Sequence, residues 1–320
     1  MQLIRYFLII TIASFIVCTS TTWVTNKGLQ KSGVDFYGKI NAAEDTSNGT
    51  NLLLVGSSRM LIQADPDIFD SITGLRSYNF GFNAGTIKTC YNVIKYALHF
   101  QKGVKAVVLN IDYNMFDISN DPYKDAYYYP FEKKIEGLLL NDTGNTHLIH
   151  RLQFLDISLY DDFAKYSAID GWIRPSRVVE GQKRGYYPHY TVNDFEIPPK
   201  INLNKIVAPF SENGLNLLKK CISLCKQKKV KLILVLAPYY KEYSPDKYYS
   251  NFYEIIDKVK TLANQNEIPF YDYTSMEISK QQDCFYNENH LNVHGARIYS
   301  IAVAKSLQAY YLYSKIHLQE

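Results

Sequence analysis

NLLLVGSSR, Asn51 to Arg59, runs four apolar residues straight into a glycine, two serines and an arginine. Leu52, Leu53, Leu54 and Val55 show no polar alternation, the pattern of a parallel strand covered on both faces. The turn that follows is the first place to look for chemistry, because open parallel sheets bind ligands just beyond the carboxyl ends of their strands. Taken alone, Gly56-Ser57-Ser58 also reads as an ordinary strand-to-helix turn with a helix-capping serine.

Working outward, strands and helical stripes alternate. Arg76 to Phe80 reads as a second strand ending in a glycine-rich loop, Asn79 to Gly85. Cys90, Val93, Ile94, Ala97 and Leu98 recur at helical spacing. Val104 to Asp112 forms a third strand, with Tyr113 and Asn114 just past its end. From about 117 to 209 the pattern is irregular, aromatic and proline-spotted, with an amphipathic stretch around Leu152 to Phe163, and reads as an inserted lid or substrate-side wall. Regularity resumes with a helix face through Leu215, Leu218, Ile222 and Cys225, a fourth strand from Val230 to Ala237, a helical stripe from Phe252 to Ala263, and a short fifth strand from Ile268 to Tyr271. Asn292 caps a final helix. This alternation predicts an α/β fold: a three-layer sandwich with a central parallel sheet of about five strands, flavodoxin-like in kind. Right-handed crossovers then gather every strand's carboxyl end on one edge.

Composition narrows the function classes. The 320 residues carry a net charge of +4 without a dense basic block, which gives no support for nucleic-acid binding. The 28 tyrosines stand out. Runs such as Tyr127-Tyr128-Tyr129, Tyr186-Tyr187 and Tyr248-Tyr249 suit a carbohydrate site, or equally half-buried filler under long loops. Five cysteines show no zinc spacing, and Cys221 and Cys225 read as apolar fillers, so no metal and no cofactor are implied. Tyr6 to Val24 lacks any charge and approaches the length of a membrane span. Both a cleaved signal and an uncleaved anchor fit; without a convincing cleavage site the anchor is preferred. The expected organisation is an anchor over 1–27, a stalk over 28–50, and an α/β domain over 51–320 with its insertion at about 117–209.

The order GSS, then an NxGxxxG loop, then an Asn after the third strand, then His290-Leu-Asn-Val-His-Gly-Ala296 before a closing helix resembles the SGNH (GDSL-like) hydrolases. The likeness is strongest to membrane-anchored branches that handle acyl groups on cell-envelope polymers. It implies Ser58 as nucleophile and His290 as general base. For the oxyanion it implies the backbone N–H of Ser58, that of Gly85 and the side chain of Asn114. Ser57 stands where the GDSL form has Asp. Asn287 stands three residues before His290, where the family has an acid; an amide can orient the imidazole but brings no negative charge. Glu288 and Asp283 are the nearest carboxylates in sequence. Arg59 either meets a substrate anion or pairs with an acid, and His294 reads as a first-turn helix residue. The resemblance further implies a serine esterase or O-acyltransferase on an envelope polysaccharide, sited on the extracytoplasmic side of a bacterial cytoplasmic membrane, with a membrane acyl-donor partner. A catalytically weak glycan-binding protein is the second reading. A nucleotide-binding reading lacks a GxGxxG or P-loop pattern after the first strand.

Overall fold

The computed structural model describes residues 2–118, 126–132, 134, 150, 152–176, 179, 181–192 and 204–316. In chain order the helices are α1 (Gln2–Leu29), α2 (Asp35–Glu44), α3 (Ser58–Gln63), α4 (Pro66–Thr73), α5 (Ile87–Phe100), the single turn α6 (Tyr129–Glu132), α7 (Asp162–Ile173), α8 (Glu212–Gln227), α9 (Phe252–Gln265) and α10 (Val293–Ile316). The strands are β1 (Leu52–Gly56), β2 (Ser77–Gly81), β3 (Ala106–Asn110), β4 (Lys231–Leu236), β5 (Phe270–Asp272), β6 (Phe285–Asn287) and β7 (His290–Leu291). They fall into two compact units, Met1–Asp45 with Ser119–Glu180, and Thr46–Ile118 with Gly181–Glu320.

The second unit is the α/β sandwich. Strands β1 to β5 are all parallel, in the order β2-β1-β3-β4-β5. Alternate residues of each strand face opposite layers. Leu52, Leu54, Val108, Ile233 and Val235 pack with Met60, Phe69, Tyr299 and Val303 of α3, α4 and α10. The opposite face, with Leu53, Val55 and Leu109 fully buried, is covered by α5 and α8. Local signals place the helix ends. Asp65 caps α4 ahead of Pro66, and Gly74 closes it in the left-handed region at φ 67°. Asn292 Oδ1 accepts from the N–H groups of His294 and Gly295, so α10 starts where the sequence places it.

This strand order creates the site. The chain leaves β1 outward to β2, then returns across β1 to β3, so the connections after β1 and β3 diverge. A crevice opens where they part, at the carboxyl ends of those two strands. Gly56 ends β1 and Asn110 ends β3 at that point.

The first unit is helical. Its α1 contains an 18-residue window of mean hydropathy 2.0. Its 28 residues span about 42 Å at 1.5 Å per residue, long enough to cross a bilayer, a test that an N-terminal signal sequence also passes. The stretch read as a stalk, 28–50, holds α2, of which Tyr37 to Ala43 are buried. The stretch read as one insertion is also divided, since 119–180 joins the N-terminal helices while 181–192 and 204–209 belong with the sandwich. Within it, the amphipathic stretch becomes a 3-10 turn, Gln153–Leu159, followed by α7. Helices α1 and α7 approach backbone to backbone: a Cβ on Gly171 would lie 2.0 Å from Gly28 O. His150 locks the unit between two acids, with Nδ1 2.7 Å from Asp156 Oδ1, Nε2 2.6 Å from Glu132 Oε2, and its ring stacked on Tyr129. Burial alone would lower its pKa, but those two hydrogen-bonded carboxylates carry it up to about 9.

Candidate active site

Ser57 caps α3, its hydroxyl accepting from the N–H of Arg59, so Ser58 becomes the helix's first residue at the mouth of the crevice. There its N–H is one of the donors a helix leaves unpaired at its start. Asn79 in β2 holds the same helix from the side: its amide donates to the carbonyls of Met60 and Ala64, and its own oxygen accepts from Gly81 N–H.

His290 arrives on a hairpin. Strands β6 and β7 pair antiparallel with Asn287 opposite His290, and Glu288-Asn289 form the two-residue loop. The three-residue spacing thus becomes a side-by-side pair. His290 Nε2 lies 2.8 Å from Ser58 Oγ, and Nδ1 lies 2.9 Å from Asn287 Oδ1. The same Oδ1 also accepts the N–H groups of Asn289 and His290, each at 3.0 Å. An amide oxygen only accepts, so Nδ1 carries the proton and Nε2 presents its lone pair to the Ser58 hydroxyl. No carboxylate among the described residues hydrogen-bonds to His290. Gln63 Nε2–H holds the loop through Asn289 O, and Val293 N–H donates to His189 O, with the His189 ring stacked on Tyr286. The sequence within 181–192 therefore forms one wall of the hairpin.

Arg59 takes the second of its two sequence readings, pairing with an acid, but with one that is buried. It neither faces solvent nor waits for an anion: it is 5% exposed and paired with Asp112 at 2.6 Å. It also donates to Ala237 O and Pro238 O and lies 3.6 Å over the Tyr239 ring. Asp112 further accepts from Ser57 Oγ–H and from Asn110 Nδ2 at 2.9 Å. Asp112, two residues past β3, thus brings a buried carboxylate to Ser57, and Asn110 belongs to the same polar cluster. This group sets the site's electrostatics. Burial, then the Arg59 guanidinium, lower the His290 pKa to about 4, with Asp112 opposing and His189 adding to the fall. His290 is therefore a neutral base at ordinary pH.

The structure does not join the other two sequence-assigned oxyanion donors to the Ser58–His290–Asn287 set by any hydrogen bond among the described residues. Gly85 N–H closes a tight turn by donating to Phe82 O at 3.0 Å. Asn114 is exposed in the 3-10 turn Tyr113–Phe116, because β3 ends at Asn110 and the chain has turned by residue 113. His294 is exposed at the start of α10, as its reading as a first-turn residue requires. Asp112 and Tyr239 were missed; their one signal is a position just past the ends of β3 and β4.

Five parallel strands in this order make an α/β sandwich with a serine just after β1 and, before the last helix, a histidine that meets it. No family model matches the sequence and no curated protein matches it. Among solved structures, the chain is similar to an acetylxylan esterase from Geobacillus stearothermophilus, at 14% identity and TM-score 0.42 over 81% of this chain and 94% of that one. A GDSL-like lipase from Bacteroides thetaiotaomicron matches at 10% identity and TM-score 0.38 over 82% and 92% of the two chains. A member of the lipolytic G-D-S-L family from Veillonella parvula matches at 12% and 0.38, over 78% and 94%.

Proposed function

We propose that the protein is a serine esterase or O-acyltransferase that moves acyl groups, acetyl-like in size, on a carbohydrate polymer of the cell envelope. The observation that carries this reading is the Ser58 Oγ to His290 Nε2 contact of 2.8 Å, with Nδ1 fixed by Asn287. Ser58 Oγ–H gives its proton to Nε2 as Oγ attacks the ester carbonyl carbon. The oxyanion collapses, the ester C–O bond breaks, and His290 returns the proton to the departing alcohol. Water, or an acceptor hydroxyl, then loses its proton to Nε2 and attacks the Ser58 ester; the acyl C–Oγ bond breaks, Nε2–H returns the proton to Ser58 Oγ, and an acid or a new ester is released. Ser58 N–H, at the start of α3, is the donor best placed for the oxyanion.

A carbohydrate substrate is favoured by the cavity that reaches Asn289, one residue before His290. It holds about 310 Å³ and is lined by Tyr113, Tyr243, Tyr248 and Tyr249, with amides from Asn204 and Asn289 and no charged side chain. Flat aromatic faces with hydroxyl and amide edges suit a neutral sugar ring. The apolar α1 supports a membrane anchor; the sandwich on the extracytoplasmic side and an acyl-donor partner in the same membrane complete the proposal. Turnover of acetylated sugars by the wild type, abolished in Ser58→Ala and His290→Ala, tests the reading. A second reading, a glycan-binding module of low turnover, is favoured by Asn287, which leaves the imidazolium without a negative partner. Glycan binding that survives Ser58→Ala, with a wild type that never turns over, would select it.

A further inference from the structure

The first unit leaves large apolar side chains exposed on two of its helices. From Leu3 to Val17 the apolar residues of α1 are largely bare, and further along, Trp23 and Val24 remain exposed while Thr22, Thr25, Gly28 and Leu29 are buried. Helix α7 covers that buried side through the Gly28–Gly171 approach. Its own outer side carries Asp162, Lys165 and Tyr166 in its first turns and Ile169, Trp172 and Ile173, the last 73% exposed, in its last turns. This apolar end is continuous with α1: Trp172 Nε1–H donates to Val24 O at 2.9 Å, and the Lys31 ammonium sits 3.8 Å above the Trp172 ring. Nearer the N-terminus, Phe154 meets the Phe15 ring at 4.8 Å, and Thr22 Oγ1–H donates to Phe154 O. The 3-10 turn holding Phe154 thus runs beside residues of the apolar stretch itself. A water-facing helix would place polar groups where α7 has Ile169, Trp172 and Ile173.

We propose that α7 is an interfacial membrane helix. The first unit rests in the headgroup layer of a phospholipid bilayer, with Ile169, Trp172 and Ile173 beside Trp23 and Val24 in one apolar face against the lipid. Three features select lipid over a protein partner. The face continues directly from the span-length helix. Both tryptophans of the sequence lie on it, in the manner of residues that collect at the membrane–water boundary. Lys27 and Lys31 flank it, neither ion-paired among the described residues, and so are available to lipid phosphates. This embedding holds the unit by two elements rather than by a single tethering helix, and it does not depend on the acyl-transfer chemistry.

Because the only two tryptophans lie on the proposed face, intrinsic fluorescence reads it directly. The full chain carrying Trp23→Phe is reconstituted into phosphatidylcholine–phosphatidylglycerol vesicles, leaving Trp172 as the sole emitter. The proposal predicts that phosphatidylcholine brominated near the headgroup end of its chains quenches Trp172, more strongly than lipid brominated near the chain ends, while aqueous iodide does not. Adding Ile169→Asp and Ile173→Asp should reduce the lipid quenching and admit iodide. A Trp172 quenched by iodide and untouched by brominated lipid overturns the proposal. So does a Trp172 shielded from both quenchers, which would mean a protein cover. The Trp172→Phe chain reports Trp23 in the same way: lipid quenching of Trp23 without that of Trp172 would leave α1 as a lone anchor and the proposal refuted.

Discussion

Replacing Asn287 with Asp puts a charge where His290 has only a dipole. Nδ1 and Asn287 Oδ1 are 2.9 Å apart, so a carboxylate there would place its charge about 4 Å from the centre of the imidazolium. At an effective dielectric constant near 20, that is worth about 4 kcal/mol, or about 3 pH units. The His290 pKa, held at about 4 by burial and by Arg59, should rise to about 7. The new carboxylate would stay ionised, because the N–H groups of Asn289 and His290 already point at its oxygen from 3.0 Å. Two consequences separate in a pH profile of kcat/KM on an acetyl ester. The wild-type acid limb should fall near pH 4, since activity needs neutral His290. In Asn287→Asp the limb should move up toward pH 7, and the plateau above it should rise, with a ceiling of about 10⁴-fold set by what a triad carboxylate contributes. The gain is therefore large at pH 8 and small or reversed at pH 5. A wild-type limb at the ordinary histidine value, or a variant limb that stays near pH 4, would refute this account of the site's electrostatics.

Two further outcomes follow from buried charge. Arg59→Met leaves Asp112 2% exposed and without its partner, so unfolding free energy should fall by about 3–5 kcal/mol in denaturant titrations. Arg59→Lys should recover only part of it, because an ammonium cannot reproduce the fork that reaches Asp112, Ala237 O and Pro238 O together. In the first unit, the folded pKa of His150 is raised to about 9, so its ion pairs stabilise fully below its ordinary value near 6.5 and are lost as pH rises through 9. Thermal unfolding should show that decline in the wild type and not in His150→Gln.

The sandwich was legible in the sequence because its strands are buried on both faces. Runs such as Leu52 to Val55 and Leu232 to Val235 leave no polar residue for another assignment, and Ser58 and His290 stand beside motifs short enough to be local. What escaped depends on contacts across the chain. Arg59 and Asp112 lie 53 residues apart, and nothing local tells a buried partner from a surface one. Strand β3 stops at Asn110, two residues short of its sequence reading, and Asn110 and Asp112 meet side chain to side chain just there, in a buried polar cluster that strand periodicity does not announce. The first unit escaped for the same reason. Its helices α1 and α7 meet through Gly28 and Gly171, 143 positions apart, and an irregular, tyrosine-rich stretch gives no sign that its partner is the N-terminal helix.

The central claim is that Ser58 is a nucleophile activated by His290, and covalent labelling tests it most directly. Treated with a fluorophosphonate near pH 7, the wild type should gain one adduct, located by mass spectrometry on Ser58, and Ser58→Ala and His290→Ala should gain none. A folded wild type that stays unlabelled between about pH 5 and 9, where neutral His290 is available to accept the proton, or one labelled on another residue, would contradict it.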